Sequence, residues 1–153
     1  MVTKTVFADS QAEIETPKHD DWKDLFVGSK ITVSGLIRVD IGVDMKELSA
    51  ADIIVDTSGK TVTISLPLAT ILDSSLYGEL DFKEDKAILD KLKSLFKDTQ
   101  NEDYNRALQT LLANAAKQVS AEGRIFNEAR ADSIKLIELI VNGLLEDYRV
   151  IVK

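Results

Sequence analysis

Side chains able to move protons near neutral pH are scarce in this chain. The one histidine, His19, sits in Pro17-Lys18-His19-Asp20-Asp21. Beside two carboxylates it could join a metal site, but no second histidine and no spaced acidic set completes one. It reads as a solvated loop residue. Asp40 and Asp44 share one strand face four residues apart. That is about 13 Å along an extended chain, too far for a carboxylate dyad, so both read as part of a wet face. Glu102-Asp103-Tyr104-Asn105 is the densest polar cluster containing an aromatic. A helix start there presents free N–H groups to anions. The two acids would compete with an anion, and helix capping already accounts for them. Asp73 and Asp81 flank an expected turn and read as side-chain-to-backbone partners. An enzyme or small-ligand carrier built from carboxylates and tyrosines would draw on Asp73, Tyr77, Glu102 and Tyr104. It requires them to converge in a deep pocket.

Several chemistries are excluded outright. The 153 residues include no cysteine, which removes disulfides, thiolate nucleophiles and zinc–thiolate centres. No Gly-x-Ser-x-Gly elbow occurs, and the seven glycines are scattered, so no phosphate loop is formed. Calcium loops of the Asp-x-Asp-x-Asp-Gly kind are absent. We therefore expect no catalytic residue, no cofactor and no metal, and favour a non-enzymatic module. The formal charge is −7, and no Lys/Arg cluster interleaves with aromatics, which argues against nucleic acid. No window approaches the roughly 20 apolar residues of a membrane span, and the start lacks the apolar run of a signal peptide.

Two hydrophobic periods place these residues. Up to about Leu66 apolar and polar residues alternate; from about Lys86 to Leu145 the apolar ones recur every three to four residues. The fold class expected is α+β: an antiparallel sheet from the N-terminal half and the C-terminal strand, packed against two or three C-terminal amphipathic helices, as a single domain over 1–153. About 69% of the extended-chain surface would be buried on folding, enough for a self-sufficient core.

Strands are predicted over about 2–14, 30–44, 53–66 and 148–152. In the second, Ile31, Val33, Gly35, Ile37, Val39, Ile41 and Val43 share one parity. Ser49-Ala50-Ala51-Asp52 resembles a capping box before Ile53. The 53–66 segment reads as a hairpin in which Gly59 supplies positive φ. The stretch Leu68–Phe82, with its Asp73-Ser74-Ser75 and Gly78, reads as a short connecting strand or turn. Helices are predicted over about 84–97, 100–122 and 125–142. Thr99 caps the second, which points Tyr104, Leu108, Leu111, Leu112, Ala115 and Val119 inward. The third carries Phe126, Ala129, Ile134, Ile137, Ile140 and Val141. Gly123 is either a left-handed residue closing a helix or a kink in one long helix, and Gly143 should close the last.

A family resemblance rests on longer strings. Thr61-Val62-Thr63-Ile64-Ser65-Leu66-Pro67, Ile71-Leu72-Asp73, Leu95-Phe96-Lys97-Asp98 and Glu102-Asp103-Tyr104-Asn105-Arg106-Ala107-Leu108, in that order and spacing, resemble an uncharacterised bacterial family catalogued as a domain of unknown function (four-thousands series). The likeness covers nearly the whole chain. It implies a membrane-anchored protein with one N-terminal transmembrane segment, and hence an extracytoplasmic domain. The anchor is not in this chain, and the strand beginning at Val2 agrees with a fragment of a longer precursor. The resemblance brings no activity. The partner it leaves open is an unknown protein or a second copy, met through the sheet's second face or an exposed edge strand. The membrane would be touched only through that anchor.

Overall fold

The computed structural model describes residues 1–15, 30–83 and 102–153. The predicted helix over 84–97, His19 and the Thr99 cap lie outside them. Six strands and two helices are present among the described residues: β1 (Val2–Glu15), β2 (Lys30–Val43), β3 (Ile53–Asp56), β4 (Thr61–Ile64), β5 (Ala69–Lys83), α1 (Glu102–Ser120), α2 (Gly123–Leu144) and β6 (Arg149–Val152). The class is α+β, with two sheets of three strands, ordered β1-β2-β5 and β3-β4-β6.

The expected single antiparallel sheet is corrected in two respects: the strands form two sheets, and one pairing is parallel. The C-terminal strand β6 belongs to the second sheet and runs parallel to β4, with Val62 beside Val150 and Ile64 beside Val152. The hairpin partner β3 occupies one side of β4, antiparallel. The free side is reached only after the two helices, a crossover long enough to bring a strand back in the same direction.

Residues 69–83 depart furthest from expectation. They form one strand of 15 residues, not a short connection. Its Leu72, Ser74, Leu76, Leu80 and Phe82 are half-buried, whereas Asp73, Ser75, Tyr77, Glu79 and Asp81 are exposed. Gly78 takes φ +92° within it, a conformation glycine adopts without strain.

The chain divides into two compact units. The first comprises Met1–Val6, Val39–Asp73 and Ser120–Lys153. Its core is Val43, Val62, Ile64, Leu66 and Val152, with Ile134, Ile137, Val141 and Leu145 of and just after α2 packed against it. The N-terminus is tied in as a strand pair: the Met1 ammonium donates to the Val43 carbonyl at 2.6 Å, and the Val43 N–H donates back to Met1 at 3.1 Å. A Cβ at Gly42 would collide with the Met1 carbonyl, so glycine is what permits this approach. Thr3 Oγ1 donates to the Ala129 carbonyl of α2 at 2.8 Å, and Lys4 reaches Asp132 at 3.1 Å.

The second unit comprises Phe7–Arg38 and Ser74–Val119. Ala8, Ser10 and Ala12 of β1 and Val33 and Ile37 of β2 are buried, as are Ala107, Leu111, Ala115 and Val119 of α1, one residue in four. The small side chains let helix and sheet approach closely. Ser10 Oγ donates to the Leu111 carbonyl at 2.8 Å, and a Cβ at Gly35 would meet Leu76 Cδ1 at 2.9 Å and Leu111 Cδ1 at 3.7 Å.

Local expectations are met at Ser49–Asp52, where a 3-10 turn spans Ala50–Asp52 and Asp52 Oδ2 accepts from the Ser49 N–H at 2.9 Å and its hydroxyl at 2.6 Å. They are corrected at three glycines. In the hairpin turn it is Lys60, not Gly59, that has positive φ, at 48°. Gly59 is there because a Cβ would run into the Asp56 carboxylate, which accepts the Gly59 N–H at 2.9 Å. Gly123 neither closes a helix in the left-handed region nor kinks one: it is the first residue of α2, after the Glu122 cap. Gly143 lies inside the last turn of α2, which runs on to Leu144.

Candidate functional site

The predicted polar residues that the structure describes have separate local settings. Asp40, expected on a wet face, is only 8% exposed. It accepts the Thr5 hydroxyl at 2.7 Å across the β1–β2 pair, because the end of β2 is buried on both faces. Asp44 lies beyond the strand and caps the Met45–Glu47 turn, accepting the Lys46 N–H at 3.0 Å. Asp73 and Tyr77 point to the same exposed side of β5 but are four residues apart, about 13 Å along the strand. Tyr104 is half-buried on α1, and the Glu102 and Asp103 side chains lie outside the described residues.

Tyr77 instead has neighbours that the sequence reading did not group with it. In the second unit an open groove of about 360 Å³ is lined by Asp9, Gln11, Ser34, Tyr77, Glu79 and Asp81, among others. The Phe7 ring meets Tyr77 edge-on, with centroids 4.9 Å apart and planes at 69°, a favourable aromatic geometry. Carboxylates around an aromatic face attract cations. Among the described residues that line it there is no histidine and no nucleophile paired with a base. Among the described residues no group of three or more His, Cys, Asp or Glu gathers to hold a metal. Alternation along β5 was the signal that could have placed Tyr77, Glu79 and Asp81 on one face.

The first unit presents a different kind of surface. Along α2 the buried Ala129 and Ser133 are followed, at intervals of three and four residues, by Leu136, Ile140 and Leu144. Their exposures rise from 38% to 48% to 76%, and Leu139 beside them is 73% exposed. Ile140, one of the apolar residues that the sequence assigns to this helix, is thus half in solvent. The helix is the same one that supplies Ile134, Ile137 and Val141 to the core, so apolar residues wrap around more of it than its neighbours cover.

The hairpin strand β3 is the second apolar element left open. Ile53, Ile54, Val55 and Asp56 are all exposed, although Ile53 and Val55 stand opposite the buried Ile64 and Val62 of β4. The ion pairs of Lys4 lie at the surface. Lys4 bridges Asp132 and, at 3.7 Å, Glu128. The Lys4 hydrogen bond is the main cause that holds the Asp132 carboxyl below its ordinary range, and in turn Asp132 raises Lys4.

A family described as "Protein of unknown function (DUF4230)" matches residues 4–152. No curated protein and no solved structure matches the chain. No helix among the described residues is long and apolar enough to cross a membrane.

Proposed function

We propose that this chain, which belongs to that family of proteins of unknown function, is a protein-interaction module and not an enzyme, held at the outer side of a cell membrane by an anchor N-terminal to it. The observation that supports the interaction reading is the bare apolar face of α2: Leu136, Leu139, Ile140 and Leu144 on adjoining turns. Isolated exposed leucines are ordinary, but contiguous apolar patches of a few hundred Å² mark association surfaces. Burying such side chains against a partner recovers about 1.5–3 kcal/mol for each one fully covered. The extracytoplasmic, tethered placement follows from the family resemblance alone.

The test is affinity capture from the source envelope with the intact, anchored protein, run beside a Leu139→Ser/Leu144→Ser variant. One stoichiometric partner, or a second copy, held by the wild type and lost from the variant supports the reading. An unchanged partner set, with both proteins equally folded, rejects this face as the interaction surface. A protease applied outside intact cells should reach the domain; protection would reject the external placement.

A further inference from the structure

Among the described residues, the outer side of β3 has backbone groups that no neighbouring strand takes up. The order β3-β4-β6 makes β3 a rim strand. The Ser65 N–H donates to the Asp52 carbonyl at 2.9 Å. With Ile54 opposite Thr63 and Asp56 opposite Thr61, the pairs bonded to β4 therefore fall at Asp52, Ile54 and Asp56. Ile53 and Val55 turn their backbone groups away from β4. The Ile53 N–H is spent on the Ala50 carbonyl. That leaves the Ile53 carbonyl and both backbone groups of Val55 directed at the rim. Natural rims are blunted by lysine, proline or bulges, and Ile53-Ile54-Val55 has no such device.

The side chains around these groups narrow the occupant. Ile53 and Val55 lie on one face of the strand and Ile54 and Asp56 on the other, while Asp52 ends the 3-10 turn just before it. Asp52 is held by the Ser49 N–H and hydroxyl. Asp56 accepts from the Ser58 N–H at 3.0 Å, the Ser58 hydroxyl at 2.6 Å and Gly59. These bonds keep both carboxyls below their ordinary range, so both are anionic near neutral pH. Directly opposed like charges destabilise a strand pair and opposite charges stabilise it. A second copy of β3 centred on Ile54 would set Asp52 against Asp56 twice, and a shift by two residues would set Ile54 against an aspartate. Self-pairing is therefore disfavoured.

We infer that β3 takes up an extended segment of another protein by antiparallel strand addition, the segment carrying three apolar residues between two Lys or Arg. This rests on the interaction reading above and specifies its mode. Val55 would exchange both backbone bonds with the residue before the segment's centre, and the two cations would face Asp52 and Asp56.

The probe is the end-blocked peptide Ser-Lys-Val-Ile-Val-Lys-Ser, titrated into the isotopically labelled full chain and followed by amide shifts. Shifts should concentrate on Ile53–Asp56. N-methylation of the peptide's first valine removes the donor to Val55 and should weaken binding about fivefold or more. Exchange of both peptide lysines for glutamate should weaken it further. Asp52→Asn and Asp56→Asn should each cost up to about fivefold. Val55→Pro, tolerable because this N–H faces away from β4, should abolish binding with the fold intact. Equal binding of the N-methylated or glutamate peptide, or shifts centred elsewhere, overturns the inference. So does a dimer in sedimentation that Val55→Pro dissolves. If Val55→Pro keeps the envelope partner while Leu139→Ser/Leu144→Ser loses it, strand addition fails and the interaction reading stands. If neither variant loses it, both fail.

Discussion

The two helices carry apolar residues at the same spacing and bury them differently. Along α1 the line Ala107, Leu111, Ala115, Val119 is covered from end to end. Along α2 the line Ala129, Ser133, Leu136, Ile140, Leu144 is covered for two positions and then emerges. Facing α1 are the small inward residues Ala8, Ser10 and Ala12, with Gly35 drawn up under Leu111. Facing the start of α2 is Thr3, bonded to the Ala129 carbonyl. Farther along, the helix turns Ile137 and Val141 to the β4–β6 sheet, and Leu136, Ile140 and Leu144 of its original line become increasingly exposed. A periodic stripe therefore predicts a helix that wants a cover; it does not predict how much cover it receives.

Truncation separates the two lines most sharply. Leu111→Ala should cost about 2–5 kcal/mol in urea unfolding, the range for a fully buried leucine. Leu144→Ala should stay within about 0.5 kcal/mol, as surface changes do. Comparable costs would mean that Leu144 is covered in the folded chain. Gly42→Ala should come next, at about 1–3 kcal/mol, because the Met1 carbonyl stands where the new methyl must go. Loss of the Met1–Val43 pairing, read from the Val43 amide exchange rate, would accompany it. Ser10→Ala should cost about 0.5–1.5 kcal/mol by deleting the bond that fastens β1 to α1. Thr110→Ala, whose exposed hydroxyl bonds only within its own helix, should cost less.

The smallest effect is electrostatic. Asp132 is held below its ordinary carboxyl range by Lys4. Its contribution is present above the unfolded value, about pH 4, and is lost as pH falls through the lower folded value. Lys4 is raised above 10.5, so its share is present below that pH and fades as pH rises through its folded value. Lys4→Met should flatten the acid limb of the stability profile. An unchanged limb would show that this exposed pair contributes nothing measurable.

Strands with one uninterrupted parity were easily read. Val33, Ile37, Val39, Ile41 and Val43 are buried on β2 as their spacing required. β5 was hidden although its alternation from Leu72 to Phe82 is regular. Ser74 takes one of its half-buried positions, Gly78 is exposed within it, and Asp73-Ser74-Ser75 imitates a turn. Its parity also slips once, since Ile71 and Leu72 are both half-buried. The Tyr77 groove went with it, because a residue's neighbours across strands cannot be named when one strand is missing. Asp40 was misjudged for a related reason: polarity suggests exposure, yet a carboxylate can be buried when a hydroxyl such as that of Thr5 is brought to it.

From the residues alone came the α+β class and the Ser49–Asp52 cap, because these depend on spacing within a few residues. The folded chain decided that β6 pairs parallel with β4, that α2 stays partly bare and that β3 is left at a rim. Each of those depends on which segments, far apart in sequence, come to lie side by side. Local physics sets what a segment can bury, and only its neighbours set what it does bury.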